Sequence, residues 1–275
     1  MTDSLSRRRL LHSLGVALAA YPIARLASGC GDNADSLDAT DGVCSAATEW
    51  ASGGTAAMTG KACYPDPFAA GVTACALLVC ETTEGPCTAP TTARQDVSDG
   101  MPGLPVRLAL KLVTAETCEP IADAVVEIWH TQKAGVYSGT TPNPQLCSGG
   151  DAEAPSLGYF RGTQISDANG RIDFDTCFPG WYRGRAIHIH VRISVGATTF
   201  VVSQLFFADT LITEIFDDHP DYADYGQPDT ANSDDNIIGS ASAFTAYVLD
   251  TARMSDGAML ASKVIAVRGA GQANC

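Results

Sequence analysis

Beyond residue 104 apolar side chains recur at every second position. Val106, Leu108, Leu110 and Leu112 share one parity, with Arg107 and Lys111 on the other. Ala124, Val126 and Ile128 alternate with Glu127; Ile172, Phe174 and Thr176 alternate with Arg171, Asp173 and Asp175. A period of two sends successive side chains to opposite faces of a strand, so each run reads as a half-buried strand. Turn formers separate the runs, among them Asp167-Ala168-Asn169-Gly170 and the Pro-Gly pairs at 102–103 and 179–180. Many short strands with turns between them predict an all-β fold, an antiparallel β-sandwich core with long loops. Residues 241–254 read equally as a short helix or a loop.

The N-terminus obeys other rules. Ser6-Arg7-Arg8-Arg9-Leu10-Leu11 reads as a twin-arginine export signal. The apolar stretch from Leu10 to Ala27 is broken by His12, Gly15, Pro22 and Arg25, too short and interrupted for a membrane span. Ala27-Ser28-Gly29-Cys30 resembles a lipobox, in which Cys30 would carry a lipid anchor. Residues 1–30 are therefore assigned to a leader, 31–82 to a flexible tether and Cys-rich extension, and 83–275 to the folded domain. The expected location is periplasmic, membrane-anchored or extracellular. Nine cysteines remain after Cys30 and read as disulfides in an exported chain, with one thiol left free or paired between chains. The absence of any C-x₂-C pair argues against structural zinc.

The whole chain carries a formal charge of −14. Beyond the leader, 13 basic residues face 30 acidic ones. Such a surface repels phosphate backbones, which argues against nucleic acid as a partner.

The chemistry concentrates in Pro179-Gly180-Trp181-Tyr182-Arg183-Gly184-Arg185-Ala186-Ile187-His188-Ile189-His190-Val191. On a strand, Ile187, Ile189, Val191 and Ile193 share one face, and His188, His190 and Arg192 share the other. Two imidazoles on one face can bind one metal ion, with Fe, Cu, Zn or Ni all suited to imidazole. A polar solvent face would give the same pattern. Tyr182 precedes the pair, and Tyr137 follows a strand in Gly135-Val136-Tyr137-Ser138-Gly139. A phenolate at neutral pH needs a strong partner such as a metal cation, because a free phenol has a pKa of about 10. Gln204 shares parity with Phe200, Val202 and Phe206, a polar residue in an apolar row that needs a hydrogen-bond partner.

Several motifs, in order along the chain, resemble the intradiol ring-cleavage dioxygenases. They are Thr83-Glu84-Gly85-Pro86, Cys118-Glu119-Pro120-Ile121, Val126-Glu127-Ile128-Trp129-His130, the Tyr137 motif, and Arg161-Gly162-Thr163-Gln164. The Pro179–Val191 segment, Ser203-Gln204-Leu205-Phe206-Phe207 and Asp229-Thr230-Ala231-Asn232 complete the set. The likeness spans roughly residues 83–270 and is closest to the exported branch related to the β subunit of protocatechuate 3,4-dioxygenase.

That resemblance implies a non-haem Fe(3+) centre with Tyr137, Tyr182, His188 and His190 as ligands. Tyr182 would be the tyrosinate that leaves the iron when substrate binds. Arg185 would stabilise charge on the substrate, and Gln204 would line the same pocket. The implied reaction cleaves a small aromatic diol of catechol type with O₂, between the two hydroxylated carbons, to a cis,cis-muconate-type diacid. His130 reads as a structural or supporting residue rather than a ligand. The loop from Tyr182 to His188 is shorter than in cytoplasmic members, so no substrate preference carries over. Homo-oligomer formation stays open. Two other readings compete: a non-catalytic, exported β-sandwich binding module of prealbumin-like type, and a copper or zinc enzyme on the same histidines.

Overall fold

The computed structural model describes residues 44–72, 80–239 and 244–268. The leader, Cys30 and the first part of the tether lie outside the described residues. Eight strands are found among them: β1 (Pro105–Thr114), β2 (Ala124–Trp129), β3 (Arg161–Ile165), β4 (Arg171–Cys177), β5 (His188–Val195), β6 (Thr198–Phe206), β7 (Asp250–Arg253) and β8 (Met259–Val267). They form two four-stranded sheets, ordered β4-β1-β8-β7 and β3-β2-β5-β6. Helix α1 (Pro144–Cys147) is a single turn, and α2 (Asp209–Asp218) follows β6.

The alternating residues do what their parity requires. Leu108, Leu110 and Leu112 of β1, Ile172 and Phe174 of β4, Val126 and Ile128 of β2, and Ile189, Val191 and Ile193 of β5 meet in one buried core. Burying an aliphatic side chain of this size contributes about 1.5–3 kcal/mol. This core fixes which face of each strand points outward.

Three expectations change. First, β1 pairs with β8 in parallel, with Leu108 opposite Ala261, so the sandwich is not wholly antiparallel. Alternation specifies the buried face of a strand and is silent on its direction. Second, residues 44–60 are docked rather than a free tether. Ala47 N–H donates to the Met254 carbonyl at 3.0 Å, Ala51 N–H to Gly257 at 2.8 Å, and Gly54 N–H to Gly103 at 2.9 Å. Backbone hydrogen bonds supply much of this docking, beside Trp50 packed on the core and the buried Met58, so sparse apolar content did not reveal it. Third, residues 244–254 form a short 3₁₀ turn, Phe244–Tyr247, and then strand β7. Helix α2 had no counterpart in the sequence reading. It buries Ile212, Ile215 and Phe216 at helical spacing.

Cys44 pairs with Cys63, and Cys87 with Cys147. Cys80 and Cys118 are also disulfide-bonded. Among the described residues Cys177 is a free, buried thiol.

Candidate active site

The outward face of the second sheet builds the site. Cross-strand register sets Trp129 of β2 beside His190 of β5, and His190 beside Gln204 of β6. One step along, His188 pairs with Phe206. His188, His190 and Gln204 are nonetheless buried, because loops cover this face. A ladder on both sides of β5 holds the two histidines at fixed spacing.

The two tyrosines come from loops. Tyr137 lies after β2 and Tyr182 just before β5, and their loops pack backbone against backbone. Gly135 has φ +76°, and a Cβ there would lie 2.0 Å from the Trp181 carbonyl oxygen. A Cβ on Gly180 would lie 2.3 Å from the Lys133 carbonyl oxygen. Thr131 Oγ1 donates to the Gly180 carbonyl at 2.6 Å, bridging the same loops. Only glycine permits an approach this close.

Four donor atoms converge as a result. Tyr137 Oη is 3.3 Å from His188 Nε2 and 3.2 Å from His190 Nε2. The two Nε2 atoms are 3.2 Å apart, and Tyr182 Oη is 3.4 Å from His188 Nε2. Atoms spaced this way surround a point roughly 2 Å from each, the length of a bond from a transition metal to nitrogen or oxygen. His188 Nδ1–H donates to the Ala186 carbonyl at 2.6 Å, which leaves the Nε2 lone pair facing the cluster. His190 Nδ1 has no hydrogen-bond partner among the described residues. Its ring is held by stacking on Trp129 instead.

The electrostatics of the cluster keeps all four donor groups neutral. Burial, aided by Arg185, pushes the His188 imidazole down to about 3, and burial with His188 beside it holds His190 well below its ordinary value. Both rings are thus neutral donors. Burial raises both phenols, Tyr137 strongly. A metal cation would reverse that preference and ionise them. Among the described residues no group of three or more His, Cys, Asp or Glu gathers, so the donor set here depends on the phenols.

Arg185 lies beside the cluster in a charged chain. Its Nε donates to Asp235 Oδ2 at 2.9 Å, and one terminal nitrogen donates to Gln204 Oε1. Gln204 Nε2 donates in turn to the Thr83 carbonyl at 3.0 Å, so its amide is satisfied by the covering segment and by Arg185. Asp235 was not anticipated. Its side chain is fully buried and accepts from the backbone N–H groups of Ala186 and Ile237 as well. Nothing in its spacing separates it from the other acidic residues around it. Trp129 and Arg161 lay in the family motifs without an assigned role. Arg161 sits over the Tyr137 ring and donates to the Ser138 and Cys87 carbonyls. His130 faces away from the cluster, its Nδ1 2.8 Å from the Thr131 carbonyl oxygen and its Nε2 2.7 Å from Thr176 Oγ1.

Comparison with known proteins gives the family. A family model described as Dioxygenase matches residues 82–223. An intradiol ring-cleavage dioxygenase from Tetranychus urticae superposes with a TM-score of 0.61 at 26% identity, over 70% of this chain and 94% of that one. A second solved dioxygenase gives 0.62 at 27% identity, over 70% and 94%. The dioxygenase domain of a carbohydrate-binding fusion from a cellulolytic Streptomyces gives 0.50 at 20% identity, over 70% and 99%, a likeness of fold. No curated protein matches the sequence. The match displaces the reading of a non-catalytic binding module: the chain belongs to the dioxygenase family and is an intradiol ring-cleaving enzyme.

Proposed function

We propose that the enzyme adds O₂ to a catechol-type aromatic diol, on a non-haem Fe(III) held by Tyr137, Tyr182, His188 and His190. Convergence carries the reading: Tyr137 Oη and the two imidazole Nε2 atoms lie 3.2–3.3 Å from one another, and Tyr182 Oη lies 3.4 Å from His188 Nε2. Anionic oxygen donors beside neutral imidazoles suit a hard ferric ion better than copper or zinc. When bound, the iron supplies a Lewis acid that favours the doubly deprotonated diol and draws electron density from its ring.

The protein's own groups do the rest. Tyr137 is almost fully buried, whereas Tyr182 is only partly so and sits on a short loop. Tyr182 is therefore the group placed to move aside for substrate; its Oη would accept the proton of one substrate hydroxyl, and the second proton would pass to solvent. Arg185, held rigid by Asp235, presents positive charge where negative charge develops on the substrate. Gln204 fixes the direction of that guanidinium. The buried sheet face keeps bulk water away from the reacting ring. Substrate and O₂ combine without a further co-substrate, and the ring opens to a cis,cis-muconate-type diacid.

The disulfides support an oxidising compartment, so export by the twin-arginine route belongs to the same proposal. Visible absorption and iron analysis of the purified protein, with and without catechol in the absence of O₂, test the centre. A tyrosinate-to-iron band that shifts with catechol supports it. A protein that stays colourless after iron loading overturns it.

A further inference from the structure

The donors differ in how they are fastened. His188 and His190 stand on a strand paired on both sides. Tyr137 stands in the long loop between β2 and β3, and no ladder holds it. What holds it is a group of contacts around one disulfide. Tyr137 N–H donates to the Cys147 carbonyl at 2.8 Å. Cys87, Cys147, Trp129 and Tyr137 pack together in one buried cluster. The Cys87 carbonyl accepts from Arg161 at 2.6 Å, and Arg161 lies over the Tyr137 ring.

The other arm of the same bond reaches the histidines. Residues 82–87 run along the edge of β6, where Thr82 N–H donates to the Val202 carbonyl at 2.9 Å. Thr83 receives Gln204. Gly85 then lies against His190, where a Cβ would make van der Waals contact with the Cε1 atom at 3.4 Å. Two residues later the segment ends at Cys87. The Cys87–Cys147 bond thus ties the strip against His190 to the loop that carries Tyr137, across a separation of 60 residues.

We propose that the Cys87–Cys147 disulfide is a positioning element of the metal centre, setting the Tyr137 phenol against the fixed histidines. This rests on the four-donor reading above. It makes iron retention depend on the redox state of a bond that touches no metal. The Cys44–Cys63 disulfide, which lies in the docked N-terminal extension, serves as the comparison.

The test uses full-length mature protein loaded with iron. In Cys87→Ala/Cys147→Ala the tyrosinate-to-iron band is expected to weaken and shift, and iron release to a chelator to rise about tenfold or more, the range found when the supports of metal ligands are removed. Cys44→Ala/Cys63→Ala is expected to keep the native band and release rate, whatever its melting temperature. A Cys87→Ala/Cys147→Ala protein with native band and release overturns the proposal, as does an equal shift in both variants. If the first variant does not fold, native protein is titrated with a phosphine reductant while alkylation and mass spectrometry report which bond has opened. Iron release that tracks opening of Cys87–Cys147 supports the proposal; release unchanged after that bond opens overturns it. Native protein with no band at all rejects the iron centre itself, a result separate from an unchanged variant.

Discussion

The imidazole of His190 lies flat against the indole of Trp129, with ring centroids 4.7 Å apart and 5° between their planes. A metal-binding histidine is ordinarily aimed by a hydrogen bond from its second nitrogen. Here that nitrogen has no partner among the described residues, and the stack substitutes for it. Arg192 lies 5.3 Å from the centroid of the same indole, which adds a cation–π contact to the row. Trp129→Leu is expected to destabilise the fold by about 2–4 kcal/mol. It is also expected to weaken iron binding by about tenfold or more. Trp129→Phe keeps a stacking face and should fall between the two. Thermal melts with chelator competition measure both effects.

Tyr182→Phe removes the phenol oxygen proposed to accept the substrate proton, and little packing. Ring-cleavage turnover should drop by roughly 10² or more, the usual contribution of a positioned proton acceptor. The melting temperature of the metal-free protein should stay close to native. Oxygen uptake with a catechol panel is the measurement, and full retained activity would refute the role given to this residue.

Gly135→Ala would place a methyl group inside the Trp181 carbonyl and force a left-handed backbone on alanine. The left-handed conformation alone costs about 1–2 kcal/mol, before any clash. The two tyrosine loops must then separate. Iron stoichiometry below one per chain, in protein with native far-UV dichroism, is the expected result.

Asp235 is fully buried against Arg185. Burial alone would raise its carboxyl, but hydrogen bonds and charge from Arg185 outweigh it and hold the group below its ordinary value. A depressed carboxyl contributes stability above its unfolded pKa, and that contribution is lost as pH falls below about 4. Asp235→Asn leaves Arg185 without its anion and should cost about 3–5 kcal/mol near neutrality. The variant should also lose part of the native acid limb when melting temperature is followed from pH 7 downward. A native-like acid limb in the variant would contradict the assignment.

His130 adds a loss of stability of the same sign, in a higher pH window. Burial pushes its imidazole down to about 4, with the Thr131 hydrogen bond opposing and Arg161 adding to it. The unfolded chain, with a pKa of about 6.5, therefore takes up a proton that the folded one refuses. Stability falls as pH drops from about 6.5 to about 4, by up to roughly 3 kcal/mol. His130→Gln should flatten the melting curve across that window without changing the visible band of iron-loaded protein.

Much of this protein is written in its pattern. The period of two in β1, β2, β4 and β5 determined which side chains enter the core, because a strand has only two faces. By the same logic it sent His188, His190 and Gln204 outward together. Helix α2 was also legible, in Leu211, Ile212, Ile215 and Phe216 at helical spacing, and the reading missed it. Strand direction was not legible: the parallel pairing of β1 with β8 joins segments far apart in the chain, and nothing local records it.

The site divides along the same line. The two histidines are neighbours in sequence, so local geometry brings them together. Tyr137 and Tyr182 are joined to them only by the packing of Gly135 on Trp181 and Gly180 on Lys133. The motifs named the tyrosines; the contact of two loop backbones places them. Asp235, Trp129 and the Cys87–Cys147 bond act wholly through such long-range contacts. Sequence determined the faces, since those depend on near neighbours. Tertiary structure decided the convergence of the donors, since that depends on loops closed across the chain.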